Sequence, residues 1–327
     1  MTTSTIPTRP LGKSGLEVTE VGCGLWAAGG AWGPTDDAGA IEAIEVALES
    51  GVTFFDTADV YGDGHSERLL GKAMKGRRDR FIVGTKLGWT NFDGDKGQSQ
   101  YTTVEKLIAG VESNLQRLGT DYVDLIQCHI YFEDPTTPVF LEGFARLKEQ
   151  GKVRAWGCST SGLGLVKTFA EAGADSLQID YSILNRDPEN EVLPYCKEHG
   201  VGVIVRGPLA MGILTGKFKA DQEFAADDFR KAWIDNAEQN AQYVKDLESV
   251  ERLSPLASEP RSLAQTALKF VLAHDAVTTV IPGARNRRQA ESNSAAGSMP
   301  PLSAIEMSLI GGVVTPGGGR KIWPAEG

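Results

Sequence analysis

The strongest constraint on this chain is a repeat: short apolar runs, most ending on a polar residue or a turn, alternate with stretches of helical spacing. Eight such runs lie near residues 20, 52, 81, 122, 153, 177, 201 and 278. Runs of this kind read as strands buried on both faces, and the stretches between them as amphipathic helices. Two architectures fit, an open doubly wound sheet and a closed (β/α)8 barrel. Gly22, Gly24 and Ala27 satisfy a loose dinucleotide fingerprint, which would favour the open sheet. Their context does not. Gly29, Gly30, Gly33 and Pro34 keep the chain in a loop where a helix must open, and Asp56 comes too late to be the ribose acid. The expectation is an α/β fold, a (β/α)8 barrel forming a single domain over 1–327.

Within that frame, residues 1–10 are rich in Thr and Pro and read as loosely attached. Leu11 to Thr19 reads as a hairpin cap, and the first strand as Glu20 to Leu25. Later strands are expected at Val52–Phe55, Phe81–Thr85, Tyr122–Cys128, Val153–Cys158, Leu177–Asp180, Val201–Val205 and Thr278–Ile281. Residues 218–252 form a polar, mostly helical excursion. The stretch 312–327 is a carboxy-terminal loop or tail, flexible at first sight, that can fold over the active face.

With 327 residues, 41% of them hydrophobic, the chain can bury one large core. A net charge of -10 argues against a general nucleic-acid or anionic-membrane surface. Cys23, Cys128, Cys158 and Cys196 form no CxxC pair and read as buried thiols in a reducing compartment. No leader pattern and no membrane-spanning apolar run is present, so a cytoplasmic protein is expected. The four histidines, His65, His129, His199 and His274, lack HxH or HExxH spacing, so no metal site is expected.

Asp56, Lys86 and His129 follow three successive strands, and Tyr61 lies on the loop after Asp56. In a barrel, adjacent strand ends lie about 5 Å apart, so the four side chains can converge. Singly, each has an ordinary explanation: a helix cap, a solvated lysine, a core histidine. Together they suit carbonyl reduction, which needs a proton for the oxygen as hydride reaches the carbon. An ammonium favours the phenolate of a nearby tyrosine, an aspartate keeps that ammonium charged, and a histidine can polarise the carbonyl.

The stretch Gly51-Val-Thr-Phe-Phe-Asp-Thr-Ala-Asp-Val-Tyr-Gly-Asp-Gly-His-Ser-Glu67 resembles the signature of the aldo-keto reductases, nicotinamide-dependent carbonyl reductases built on a (β/α)8 barrel. The resemblance spans about Leu11 to Ala296 and implies Asp56, Tyr61, Lys86 and His129 as the catalytic four. It implies that Ser159 and Gln178 address the nicotinamide carboxamide, with Thr160 where many relatives have Asn. Arg206 stands where many relatives stack an aromatic ring, and Trp26 and Asp56 complete that end of the cofactor site. The loop bearing Gly207, Pro208, Leu209, Gly212, Leu214, Gly216 and Lys217 resembles the segment that closes over the pyrophosphate. Pro282, Gly283, Arg285, Gln289 and Asn293 resemble the adenosine site, although Gly283 replaces the familiar Lys and Gln289 the familiar Arg. Arg285 is the candidate to compensate, with Gln289 and Asn293 hydrogen-bonding phosphate or adenine.

The implied cofactor is NADP(H), with NAD(H) possible. The implied substrate is a small carbonyl compound, or in reverse a sugar or alcohol, in a pocket lined by Trp26, Tyr61, Trp89 and His129, with Tyr131 and Phe132 as further candidates. A nicotinamide-binding regulatory subunit and an NAD-preferring dehydrogenase are the alternatives. Assembly is expected to be a monomer or a small homo-oligomer.

Overall fold

The computed structural model describes residues 5–30, 32, 36–88, 100–130 and 135–320. A two-stranded antiparallel hairpin comes first, β1 (Thr8–Pro10) with β2 (Glu17–Thr19), Arg9 facing Val18. Eight parallel strands follow: β3 (Cys23–Gly24), β4 (Phe54–Asp56), β5 (Ile82–Leu87), β6 (Val123–Cys128), β7 (Val153–Ser159), β8 (Ser176–Asp180), β9 (Gly202–Arg206) and β10 (Val277–Val280). Each pairs with the next in sequence, and bridges Val21–Val280 and Gly24–Gly283 join the two ends, so the sheet closes into a barrel.

The helices described between and after the strands are α1 (Asp37–Glu49), α2 (His65–Met74), α3 (Val104–Leu118), α4 (Thr137–Glu149), α5 (Leu163–Glu171), α6 (Val192–His199), α7 (Ala232–Asp235), α8 (Ala237–Leu253), α9 (Leu263–Leu272), α10 (Arg287–Ser298) and α11 (Ala304–Val313). Helix α3 shows why such stretches fold as they do. Val104, Leu107, Val111, Leu115 and Leu118 recur at helical spacing and are buried, Thr103 caps the first turn, and Gly119 ends the helix in the left-handed conformation. Among the described residues no helix is long and apolar enough to cross a membrane.

Inside the barrel the period-two alternation of the strands sets the layers. Phe54, Leu125, Ala155 and Ile204 meet Leu11, Leu16 and Val18 of the hairpin in one apolar cluster. The hairpin therefore plugs the end where the strands begin. Gly157 permits the tight approach of β7 to β8, since a Cβ there would sit 2.1 Å from the Ser176 carbonyl oxygen. Gly157→Ala should cost at least about 1–3 kcal/mol, read as a lower denaturation midpoint with an unchanged m-value.

Three expectations are corrected. The first strand is shorter than Glu20–Leu25, because the backbone at Gly22 and Gly24 runs against Phe54 and Ile281; a Cβ on Gly24 would lie 2.6 Å from the Ile281 oxygen. Residues 5–10 are packed rather than loose. Ile6 lies against Gly297, and Arg9 donates to Glu20 at 2.8 Å and to the carbonyls of Val277 at 2.6 Å and Leu272 at 3.0 Å. Of the two readings of the carboxy-terminal segment, folding over the active face holds and flexibility does not, since the segment is tied down as far as Arg320. Arg186 donates to the carbonyls of Val314 and, through its backbone, Gly318, both at 2.8 Å, and Arg320 N donates to Leu184 at 2.9 Å. These partners belong to the loop after β8, so residues 314–320 lie on the rim where the strands end.

Candidate active site

Asp56 ends β4 and Lys86 lies near the end of β5, both pointing into the barrel and fully buried. The Lys86 ammonium donates to Asp56 Oδ1 at 2.5 Å, to the Thr57 carbonyl at 2.8 Å and to Tyr61 Oη at 3.1 Å. That uses all three of its protons. The other Asp56 oxygen accepts from Gln178 Nε2 at 2.8 Å and Gln127 Nε2 at 3.2 Å. Gln127, which sequence reasoning passed over as strand interior, thus helps hold the carboxylate.

Tyr61 is aimed by the turn between β4 and α2. Gly62, Asp63 and Gly64 all take left-handed backbone angles, with φ of 62°, 50° and 72°, which folds the chain back sharply before α2 opens at His65. The first βα loop presses against this turn at Gly29, where a Cβ would lie 2.6 Å from the Tyr61 carbonyl carbon. His129 follows β6, its backbone N–H donating to the Leu87 carbonyl at 2.9 Å, and its ring stands perpendicular to that of Tyr61 with centroids 6.0 Å apart. The four residues named from sequence, three at strand ends and Tyr61 on a loop, are therefore gathered in one site.

Its electrostatics differ in one respect from expectation. Burial raises the Tyr61 phenol above its ordinary 10, and the pull of Lys86 in the other direction does not overcome it. Tyr61 is thus a neutral hydroxyl bearing its proton, not a phenolate. Burial works against the Lys86 charge, yet Asp56 and Tyr61 outweigh it and raise its pKa. Burial, with the positive charges of Lys86 and Arg206, drives His129 well below 6.5, so its imidazole is neutral. The arrangement holds a cation, a proton-bearing hydroxyl and a neutral hydrogen-bonding ring around one point.

An aromatic wall closes the outer side. Trp26 is 6.4 Å from Tyr61 and stacks on Phe229 at 5.3 Å, with Trp32 edge-on to both. Phe229 comes from the 218–252 excursion, whose Arg230 pairs with Asp228 and lies over Trp32, Phe224 and Phe218 at 4.6, 4.8 and 5.4 Å. These residues were missed because the contact spans some two hundred positions; the only signal was the run of Phe218, Phe224, Phe229 and Trp233 in a polar stretch. Trp89, Tyr131 and Phe132 lie outside the described residues.

The residues expected around a cofactor lie along the same rim. Ser159 faces Gln178 across the β7–β8 ladder, and the backbone N–H of Thr160 donates to the Gln178 carbonyl at 3.0 Å. The Thr160 hydroxyl accepts from Gly162 N at 3.2 Å. Arg206, half-buried, ends β9. The following loop carries left-handed residues at Gly207, Ala210, Met211, Gly212 and Gly216; Pro208 and Leu214 are buried, Leu209 is packed on the core, and Lys217 is exposed.

Pro282 and Gly283 lie beside Gly24, where the barrel closes. Gln289 Oε1 accepts from the Arg285 backbone N–H at 2.8 Å, and Asn293 Nδ2 donates to the Gly283 carbonyl at 3.1 Å. Both side chains brace the turn itself. Arg285 is exposed and reaches the Trp32 carbonyl at 2.9 Å, whereas Arg287 is engaged by Glu42 and Glu291. Among the described residues no group of His, Cys, Asp and Glu is placed to hold a metal ion.

Comparison with known proteins agrees with this picture. The sequence model of the Aldo/keto reductase family matches residues 20–314. Aldo-keto reductase YhdN of Bacillus subtilis is 36% identical over 294 residues, covering 87% of this chain and 86% of its own. The NADH-specific methylglyoxal reductase of Escherichia coli is 32% identical over 304 residues, covering 88% of this chain and 92% of its own. Among solved structures, the holo form of aldo-keto reductase AKR11C1 from Bacillus halodurans superposes with a TM-score of 0.77 at 33% identity, covering 94% of this chain and 96% of that one. With its barrel, its hairpin plug and a family match running over most of its length, the chain belongs to the aldo/keto reductase family.

Proposed function

We propose that this protein reduces aldehydes or ketones to alcohols with a reduced nicotinamide cofactor, or runs the reverse reaction. The observation that carries the reading is the Lys86 ammonium, hydrogen-bonded at once to Asp56 and Tyr61 beside a neutral His129. Tyr61 delivers the proton to the carbonyl oxygen. Lys86 supplies positive charge beside the phenol as the proton leaves, and Asp56 keeps that charge in place. His129 hydrogen-bonds the carbonyl oxygen and sets its direction. Trp26 and Phe229 shield the reacting centre from water and offer an apolar face to the substrate.

When bound, the cofactor supplies hydride. The Ser159 hydroxyl at the end of β7 and the Gln178 side-chain carbonyl in β8 suit a carboxamide, and the basic turn at Arg285 suits an adenosine phosphate. Arg206 offers a guanidinium plane for the nicotinamide ring. The loop 207–217, with its left-handed residues and Lys217, suits a pyrophosphate. Arg285 favours NADP(H), while Gly283 and Gln289 in place of basic residues leave room for NAD(H), the coenzyme in the name of the E. coli relative. That relative's name also makes methylglyoxal a sensible first substrate.

Tryptophan fluorescence titrations with NADPH and NADH test the assignment. Losing a charge-assisted contact to phosphate costs about 1.5–3 kcal/mol, so Arg285→Ala should weaken NADPH binding about 10- to 150-fold and leave NADH binding unaltered. Equal loss for both coenzymes would place Arg285 outside the 2′-phosphate site. Binding of neither by the parent protein would overturn the redox reading.

A further inference from the structure

The end of the barrel away from Tyr61, where the strands begin, holds a cavity of about 350 Å³. Residues in and beside the hairpin, Pro7, Arg9 and Glu20, form one wall. Lys269 near the end of α9, with Met299 and Pro301 just after α10, forms the other. The cavity thus has an apolar part and a charged part. Among the described residues its charged members are Arg9, Glu20 and Lys269, and they are not equivalent. Arg9 donates to Glu20 at 2.8 Å and, with its other two nitrogens, to the carbonyls of Val277 and Leu272. Arg9 and Glu20 therefore neutralise each other.

Lys269 has no such arrangement. It is the one charged residue of α9, a helix buried on almost every face, and is itself only 8% exposed. Among the described residues its ammonium makes no hydrogen bond and no ion pair. The charges that bear on it are Glu20, Arg9 and Arg261. Glu20 is engaged by Arg9, and Arg261 by Glu306. Burial lowers the Lys269 pKa, with Glu20 pulling the other way. A buried ammonium without a counter-charge is costly, and here it stands on the wall of a cavity that can admit one.

We propose that this cavity binds a small monocarboxylate with an apolar body, the carboxylate paired with Lys269 and the body against Pro7, Met299 and Pro301. The class follows from the charges. Arg9 and Glu20 cancel, which leaves one positive charge for one negative charge. A phosphate monoester carries about -1.5 to -2 at pH 7 and would set its excess charge beside Glu20. A neutral guest would leave the ammonium without a partner. The volume falls within the range of small-molecule sites. The site lies at the other end of the barrel from Tyr61 and does not depend on the function proposed there.

Benzoate is the probe, titrated calorimetrically into the full chain. Lys269→Met keeps the reach of the side chain and removes its charge, whereas Lys269→Arg keeps a charge. Benzoate should bind the parent, bind Lys269→Met at least about tenfold more weakly, and regain most of its affinity in Lys269→Arg. Equal affinity for the parent and Lys269→Met would overturn the proposal, since the benzoate would then lie elsewhere, the active face included. So would no binding to the parent, or tighter binding of inorganic phosphate than of benzoate. Thermal denaturation gives a second readout. Without ligand, Lys269→Met should melt no lower than the parent, because it removes a buried charge that has no partner. A lower Tm would show that the ammonium has a structural partner and would overturn the assignment. Added benzoate should raise the Tm of the parent and not that of Lys269→Met.

Discussion

Tyr61→Phe should leave the protein folded and able to bind a nicotinamide cofactor, yet lower kcat by about two to four orders of magnitude. The substitution removes one hydroxyl from a buried site and keeps the ring that packs on Trp26 and His129. It deletes the proton without emptying the space. Lys86 keeps Asp56 and the Thr57 carbonyl as partners, so stability should change by no more than about 1 kcal/mol. Steady-state kinetics beside a cofactor titration separate the two effects. A kcat within tenfold of the parent's would assign the proton to another group.

Lys86→Met should do more damage to the fold. The ammonium balances a carboxylate whose other partners are the amides of Gln127 and Gln178, all out of water. Removing one member of a buried ion pair typically costs about 3–5 kcal/mol, because the partner's charge remains without compensation. Denaturant titration should show that loss. Adding Asp56→Asn to Lys86→Met should recover most of the stability and none of the activity, since both charges are gone together. If the double variant were as unstable as the single one, the loss would stem from packing and not from the unpaired carboxylate.

Most of the fold was legible because barrel strands buried on both faces must be short apolar runs, and helices around them must carry a one-sided stripe. Val123–Cys128 and Val104–Leu118 are such cases. Strand β3 was less so, because it is made short by backbone contact at Gly22 and Gly24, which no periodicity reports. Asp56, Lys86, Tyr61 and His129 could be gathered from sequence since adjacent strand ends are neighbours by construction. What lies behind and above them could not. The Glu67–Arg117 pair joins residues fifty positions apart, and Phe229 reaches Trp26 from a polar excursion. The direction of the Tyr61 shift also depended on depth of burial, which outweighs the nearby cations Lys86 and Arg206. Gln289 and Asn293 share a helical face as expected, and each is hydrogen-bonded to the turn carrying Gly283 and Arg285, a contact no helical spacing reports.

The hydride transfer proposed at the Asp56–Tyr61–Lys86–His129 site can be followed by isotope label. The protein would be incubated with reduced nicotinamide cofactor carrying deuterium at the transferable C4 position and with a panel of aldehydes and ketones, methylglyoxal first. The products would be read by mass spectrometry. One deuterium is expected on the carbinol carbon for each cofactor oxidised, at a rate lowered by at least about two orders of magnitude in Tyr61→Phe. Tight cofactor binding with no labelled alcohol from any carbonyl would contradict it and leave a protein that senses the coenzyme without using it.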